Sequence, residues 1–220
     1  MSRRKCSVVF VGGFGTGADG TIGGQVYACR TLLESPISEH VAWHLVDTTM
    51  ESLPPPPLRR RMRRAIGRFQ RFLLLITRRQ VDAVLLFSST GGSFAEKGLM
   101  AAAARLRGKR VVLSPHSGKD HETMARSRFH SAVVRLALRF CDVVMCQSRG
   151  WQDFYSSLTP GAPTRYVVVK NWIEPRQYRD LPLRGPQQRV NVLFLAWIER
   201  HKGIFDLIEA AVRSGLPPAS

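Results

Sequence analysis

Val81-Asp82-Ala83-Val84-Leu85-Leu86-Phe87 and, after a helix-length interval, Arg110-Val111-Val112-Leu113 with its turn Ser114-Pro115-His116-Ser117-Gly118, decide how this chain folds. A strand buried on both faces reads as a near-continuous apolar run, and both segments do. The residues between them, at about 94–106, form a helix-length amphipathic stretch, so the unit is strand, helix, strand. The same alternation extends in both directions. Strands are expected at 7–11, 41–46, 83–87, 110–113, 143–146 and 166–169, with helices at about 23–34, 58–78, 94–106, 126–139 and 149–157. That order predicts an α/β domain with a doubly wound parallel sheet over residues 1–173. Residues 174–189, punctuated by Pro175, Pro182 and Pro186, read as a linker. A fresh strand is expected at 190–195, and Lys202-Gly203 opens a helix to about 213. One strand and one helix cannot form a domain, so 190–220 is expected to be an incomplete second α/β domain of a truncated or split gene product.

Composition narrows the partners. The 220 residues are 44% hydrophobic, enough for one good core, and 33 Lys and Arg against 16 Asp and Glu give a net charge of +17. Such a balance favours nucleic acid, acidic lipid or sugar diphosphates. Cys6, Cys29, Cys141 and Cys146 form no CxxC pair and have no His-rich companion segment, which argues against a metal cage or a disulfide framework. A reduced, cytoplasmic chain is expected. Gly12, Gly13, Gly15 and Gly17 break the apolar run that follows Ser2-Arg3-Arg4-Lys5, so the run reads as a first strand rather than a secretion signal. No run approaches the roughly 18 to 20 apolar residues of a membrane span.

In an open α/β sheet, ligands gather at the carboxyl ends of the strands. The loop Gly12-Gly13-Phe14-Gly15-Thr16-Gly17-Ala18-Asp19-Gly20-Thr21-Ile22-Gly23-Gly24 lets backbone N–H groups approach a ligand, and a helix starting at Gly23-Gly24 aims its positive end at an anion. Gly13, Gly15 and Ala18 also match the dinucleotide pattern G-x-G-x-x-A. That motif needs an acid about 20 residues on, and Asp47, ending strand two, lies too far along. His116 is placed to hydrogen-bond a substrate hydroxyl or to satisfy local backbone groups. Ser148 reads as a helix N-cap and Asn171 as a turn former. Arg200 and Lys202 at a helix start suit a diphosphate.

Residues 58–79 hold nine arginines and no acid, and Met62, Ile66, Phe69, Leu73 and Ile76 recur at steps of three and four. Such a helix either packs its stripe on the sheet with the arginines in water, or also presents Arg59, Arg60, Arg61, Arg63, Arg64, Arg68 and Arg71 to an anionic membrane. Residues 54–57, four prolines, form a stiff spacer before it.

Taken together, the Gly23-Gly24 helix start, His116-Ser117-Gly118, the segment from Cys141-Asp142-Val143-Val144 to Ser148, Val169-Lys170-Asn171-Trp172-Ile173 and the run Leu193-Phe194-Leu195-Ala196-Trp197-Ile198-Glu199-Arg200-His201-Lys202-Gly203 through Ala210 resemble glycosyltransferase family 4, the retaining GT-B enzymes. The resemblance implies a Rossmann-like amino-terminal domain for the acceptor, a nucleotide sugar as donor substrate, no cofactor or metal, and a role in cell-surface polysaccharide or glycolipid synthesis. It places Gly24 by the donor diphosphate, His116 near the reacting sugar, and Lys202 on the donor phosphates. The family commonly has Arg where Trp197 stands, and Arg200 is the candidate substitute. The family's downstream glutamate pair is absent, and Glu199 and Glu209 do not correspond to it, so the 220 residues alone are expected to have little activity. The competing class is a non-enzymatic basic module for a membrane or nucleic acid. Nucleic acid is disfavoured, since no zinc pattern, aromatic RNA-binding pattern or basic arm feeding heptads is present.

Overall fold

The computed structural model describes residues 4–16, 20, 22–49, 52, 56–89, 91–118, 120–173, 192–196, 198 and 200–214. The chain divides into two compact units, Met1–Pro175 and Arg176–Ser220. The expected linker at 174–189 lies outside the described residues.

The first unit runs β1 (Cys6–Gly12), α1 (Gly24–Glu34), a 3-10 turn (Pro36–Glu39), β2 (Val41–Asp47), α2 (Leu58–Ile76), β3 (Ala83–Ser88), α3 (Gly92–Leu106), β4 (Arg110–Pro115), α4 (Asp120–Arg126), α5 (Arg128–Arg139), β5 (Val143–Cys146), α6 (Arg149–Ser157) and β6 (Arg165–Val168). The six strands form one sheet in the order β2-β1-β3-β4-β5-β6, and every pair is parallel. The doubly wound α/β architecture read from the sequence is therefore the one observed.

Alternation along the strands sorts the core into two layers. Val9, Val11, Val84, Leu86, Val111, Leu113 and Val144 meet Phe72 and Ile76 of α2, Phe94 and Met100 of α3, Leu138 of α5 and Tyr155 of α6. Val8, Phe10, Leu85 and Phe87 point the other way, onto Ala28 and Cys29 of α1, with Phe14, Trp43 and Trp172 around them. Each fully buried Phe, Leu or Val contributes about 1.5–3 kcal/mol, so these layers supply most of the driving force. Helices α3 and α5 approach closely at Gly98, where an added Cβ would lie 2.8 Å from the Cβ of Ala137. A side chain there would force the pair apart.

The helix expected at 126–139 is observed as α5, where Ser127 turns extended and its hydroxyl accepts the His130 N–H at 3.2 Å as the cap, and the short α4 that precedes it is an addition the sequence reading did not place. One expectation is corrected. The strand expected at 190–195 is not formed over its described residues, 192–195. An apolar run becomes a strand only where a neighbour completes its hydrogen-bond ladder, and no described residue of the second unit supplies one. The second unit's described elements are a 3-10 turn (Arg200–Lys202) and α7 (Ile204–Arg213), whose Phe205, Ile208 and Val212 are exposed.

Candidate functional site

Chain order reverses at β1, since β2 lies on one side of it and β3 on the other. The carboxyl ends of β1 and β3 therefore flank a topological switch point, where an open α/β sheet leaves a crevice.

The loop after β1 is folded onto the end of β2. Phe14 N–H donates to Asp47 Oδ1 and to Thr49 Oγ1, both at 3.0 Å, and Gly15 N–H donates to Thr49 Oγ1 at 2.8 Å. Thr49 Oγ1 in turn donates to Asp47 Oδ1 at 2.6 Å. From the other side Arg30 of α1 holds the Phe14 carbonyl at 2.8 Å and the Thr16 hydroxyl at 2.9 Å. Burial pushes the Asp47 carboxyl up, but the Thr49 hydroxyl and the N–H groups of Phe14, Thr49 and Gly15 outweigh it and hold the group below 3.8. Asp47 thus spends its charge on the glycine loop itself, which removes the ribose-binding acid that a dinucleotide site would need. At Gly12 an added Cβ would meet Cys29 Sγ at 2.7 Å, so the bare backbone lets α1 sit close to the strand end. Burial pushes the Cys29 thiol up to about 12, keeping it protonated and apolar. Helix α1 begins beyond this loop with Gly23 as an extended N-cap that lacks a side-chain cap, and Gly23 and Gly24 are both exposed. A glycine N-cap brings no side-chain acceptor to the first N–H groups of the helix, an arrangement that suits an anion.

His116 lies one residue past the end of β4. Its N–H donates to the Ser88 carbonyl of β3 at 2.7 Å, and its ring stacks on Phe87 with centroids 4.5 Å apart. Gln147 Nε2, a donor only, lies 2.9 Å from His116 Nδ1, so Nδ1 accepts. The remaining proton sits on Nε2 and is donated to Ser114 Oγ at 3.1 Å. Burial lowers the imidazole to about 4, so near neutral pH the ring is uncharged with both nitrogens engaged. This is a fixed, neutral hydrogen-bonding wall, not a free general base. The aromatic layer continues to Trp172, whose ring meets Phe87 edge-on at 6.3 Å and whose Nε1–H donates to Thr31 Oγ1 of α1 at 2.9 Å. The segment after β6 is thereby tied across the sheet to α1.

His116 also sets an expected pH response. A histidine at about 4 when folded and 6.5 when unfolded contributes stability that is fully present above 6.5 and is lost as pH falls toward 4. That difference corresponds to roughly 3 kcal/mol. The carboxylates of Asp47, Glu96 and Asp142 are all held low, so their contributions disappear only below about 4. Denaturant titrations between pH 7 and 4 are expected to show a falling midpoint in the parent chain and a flatter one in His116→Gln. Identical slopes would contradict the assignment.

The structure therefore brings Gly23, Gly24 and His116 to the same edge of the first unit's sheet. Arg200 and Lys202 belong to the second unit, in the exposed turn that leads into α7. Trp197 lies outside the described residues. The arginines proposed for anion contact line α2, and the Nε of Arg68 donates to Glu96 Oε1 of α3 at 2.9 Å. Ser148 caps α6 as its sequence position suggests, accepting the Trp151 N–H at 3.3 Å. Sequence reasoning placed Gln147 in a strand-end loop with Ser148 but gave it no role, and it did not single out Thr49 or the β3–α3 turn that starts at Ser88. One signal was present for Gln147. It follows β5 as His116 follows β4, and the register Leu113 beside Val144 carries forward to set the two side by side.

Residues 4–172 match the family model described as a glycosyl transferase 4-like domain. No curated protein matches the chain.

Proposed function

As the chain belongs to the glycosyl transferase 4-like family, we propose that it serves the transfer of a sugar from a nucleotide-sugar donor to a polysaccharide or glycolipid acceptor, with retained anomeric configuration, in the synthesis of cell-surface polysaccharide. The observation that carries this reading is the neutral His116, clamped by Gln147 and Ser114 beside the switch point of a parallel sheet. An uncharged imidazole with fixed nitrogens is suited to orienting sugar hydroxyls, which both donate and accept hydrogen bonds. An incoming hydroxyl takes over the bond now made by Gln147 or Ser114.

In this reading the first unit holds the acceptor, and the uncapped start of α1 at Gly23 and Gly24 lies toward the donor diphosphate. Arg200 and Lys202 take the donor phosphates. Breaking the bond between the sugar's anomeric carbon and the diphosphate oxygen leaves the electron pair on the leaving group, and fixed cations stabilise the charge that develops there. The nucleotide sugar is a substrate, and the reaction needs no resident cofactor or metal. The arginines of α2 contact the anionic inner face of a cytoplasmic membrane, where a lipid-linked acceptor resides. No described helix is long and apolar enough to cross a membrane.

Saturation-transfer NMR on the 220-residue chain, with a panel of neutral and anionic oligosaccharides and a short single-stranded DNA, tests the proposal. At least one oligosaccharide is expected to receive saturation, and His116→Ala is expected to weaken that signal about tenfold or more with the fold intact. Binding of DNA with no response from any sugar would sink it and favour the basic-module alternative.

A further inference from the structure

Helix α2 is 19 residues long, about 28 Å, and only its second half is docked. Phe72 and Ile76 are fully buried there, with Phe69 and Leu73 packed against the same core. The apolar stripe does not end with the docked part. It continues toward the amino terminus as Leu58, Met62 and Ile66, at successive four-residue steps on one helix face. These three are 67%, 57% and 56% exposed. Over residues 58–67 only Ala65 is even half-buried. The same segment carries Arg59, Arg60, Arg61, Arg63 and Arg64 and no acidic residue.

Topology says where this overhang lies. Helix α2 follows the carboxyl end of β2 and returns the chain to the amino end of β3, so its first turns are at the carboxyl edge of the sheet. Arg68 confirms the level, because its ion pair is with Glu96, in the early part of α3, a helix that itself starts at that edge. The ten residues before Arg68 therefore extend about 15 Å further. The carboxyl edge is also where His116 and the α1 start are found.

We propose that residues 58–67 of α2 are a membrane wedge. Leu58, Met62 and Ile66 enter the acyl boundary of an anionic bilayer, while the flanking arginines engage its phosphate headgroups. Charge decides between occupants. A protein groove matching an apolar ridge does not need five surrounding cations, and a second copy of a chain with net charge +17 would bring like charges together at this surface. An anionic bilayer answers the ridge and the cations at once, to a depth of about 5–10 Å. Lying in that interface, the wedge turns the carboxyl edge toward the membrane, so that an acceptor need only emerge from the lipid to meet it. This rests on the membrane contact proposed above and adds to it that the apolar ridge inserts.

Co-sedimentation of the full chain with phosphatidylcholine vesicles, with and without phosphatidylglycerol, provides the test. Three proteins are compared: the parent, Leu58→Ser/Met62→Ser/Ile66→Ser, and Arg59→Gln/Arg61→Gln/Arg63→Gln. The parent is expected to bind only the anionic vesicles and to keep part of that binding at high salt. The serine variant, altered only at exposed positions and checked by circular dichroism, is expected to bind at least tenfold more weakly and to lose all binding at high salt. The glutamine variant is expected to bind more weakly with a shallower salt dependence. In the parent background, Met62→Trp is expected to add blue-shifted emission that brominated lipid quenches. Parent-like binding by the serine variant, without quenching at position 62, would overturn insertion and leave surface contact standing. No binding of the parent to either vesicle would defeat both. A dimer in sedimentation that the serine variant converts to monomer would assign the ridge to a second copy and overturn the wedge.

Discussion

Replacing Glu96 by alanine is expected to destabilise the first unit by about 3–5 kcal/mol, a large part of the 5–15 kcal/mol that holds a typical domain together. The reason is Lys97, only 1% exposed in the packed face of α3. Its ammonium has one partner among the described residues, Glu96 Oε2 at 2.9 Å. Burial lowers the Lys97 ammonium below its ordinary 10.5, and Glu96 is the charge that opposes this. Burial likewise works against the Glu96 carboxylate, while Lys97 and Arg68 together hold it below 4.5. Alanine at 96 leaves a buried cation facing no counter-charge, and it also cuts the tie that α2 makes through Arg68. The variant is expected to melt roughly 10 °C lower. Lys97→Met, which leaves Glu96 paired with Arg68, should stay close to the parent, and combining it with Glu96→Ala should recover most of the loss. The pH response has a defined sign. A lysine whose folded value lies below 10.5 binds fewer protons folded than unfolded in that window, so stability rises with pH there. The deficit of Glu96→Ala should therefore shrink as pH is raised toward 10.5. A deficit independent of both Lys97→Met and pH would show that lost packing, not stranded charge, is the cause.

Tyr155→Phe removes one oxygen and is expected to remove about 2–3 kcal/mol of stability. Tyr155 O–H donates to Asp120 Oδ2 at 2.7 Å from the buried side of α6, and Asp120 is wholly buried at the start of α4. The other carboxyl oxygen of Asp120 has no hydrogen-bond partner among the described residues. Phenylalanine fills the same space but leaves both oxygens unsatisfied. Burial, reinforced by Asp120, pushes the phenol far above its usual 10, so Tyr155 stays a donor at every pH at which the protein folds. The pair also has positional value. Asp120 closes the loop that begins at His116, so α6 grips that loop at one end through Tyr155 while Gln147, just before α6, grips it at the other. In Tyr155→Phe the His116 ring resonances should broaden or shift, whereas in Tyr155→Phe/Asp120→Asn the stability should partly return. Unchanged His116 resonances alongside full loss of stability would limit the pair to a purely structural role.

The six strands, five of the six helices described in the first unit and the parallel sense of the sheet were legible in the sequence, because each depends on patterns that run along a short piece of chain. Val84, Leu85 and Leu86 need no distant partner to announce a doubly buried strand, and Ser148 caps α6 with a hydroxyl three residues from the N–H it accepts. The glycine loop, His116 and the arginine helix were visible for the same reason: residue type and position after a strand, or spacing on a helix, are local properties. The failures have the opposite character. Residues 192–195 are apolar enough for a strand, but a strand is completed by a neighbour, and composition cannot supply one. Asp47 was judged as an acid at the wrong distance for a ribose, whereas folding turns it onto Phe14 and Gly15. The state of His116 depends on Gln147, 31 residues on, and Trp172 finds Thr31 across 141 residues. Nothing in the neighbouring sequence marks Lys97 as buried, and only packing removes its water. The overhang of α2 is of this kind too, since the stripe is continuous in sequence and only the extent of the sheet decides where burial stops. Secondary structure was determined by the chain's own pattern, and protonation, partnership and exposure by the sheet order that brings distant residues together, because those energies depend on surroundings that exist only after folding.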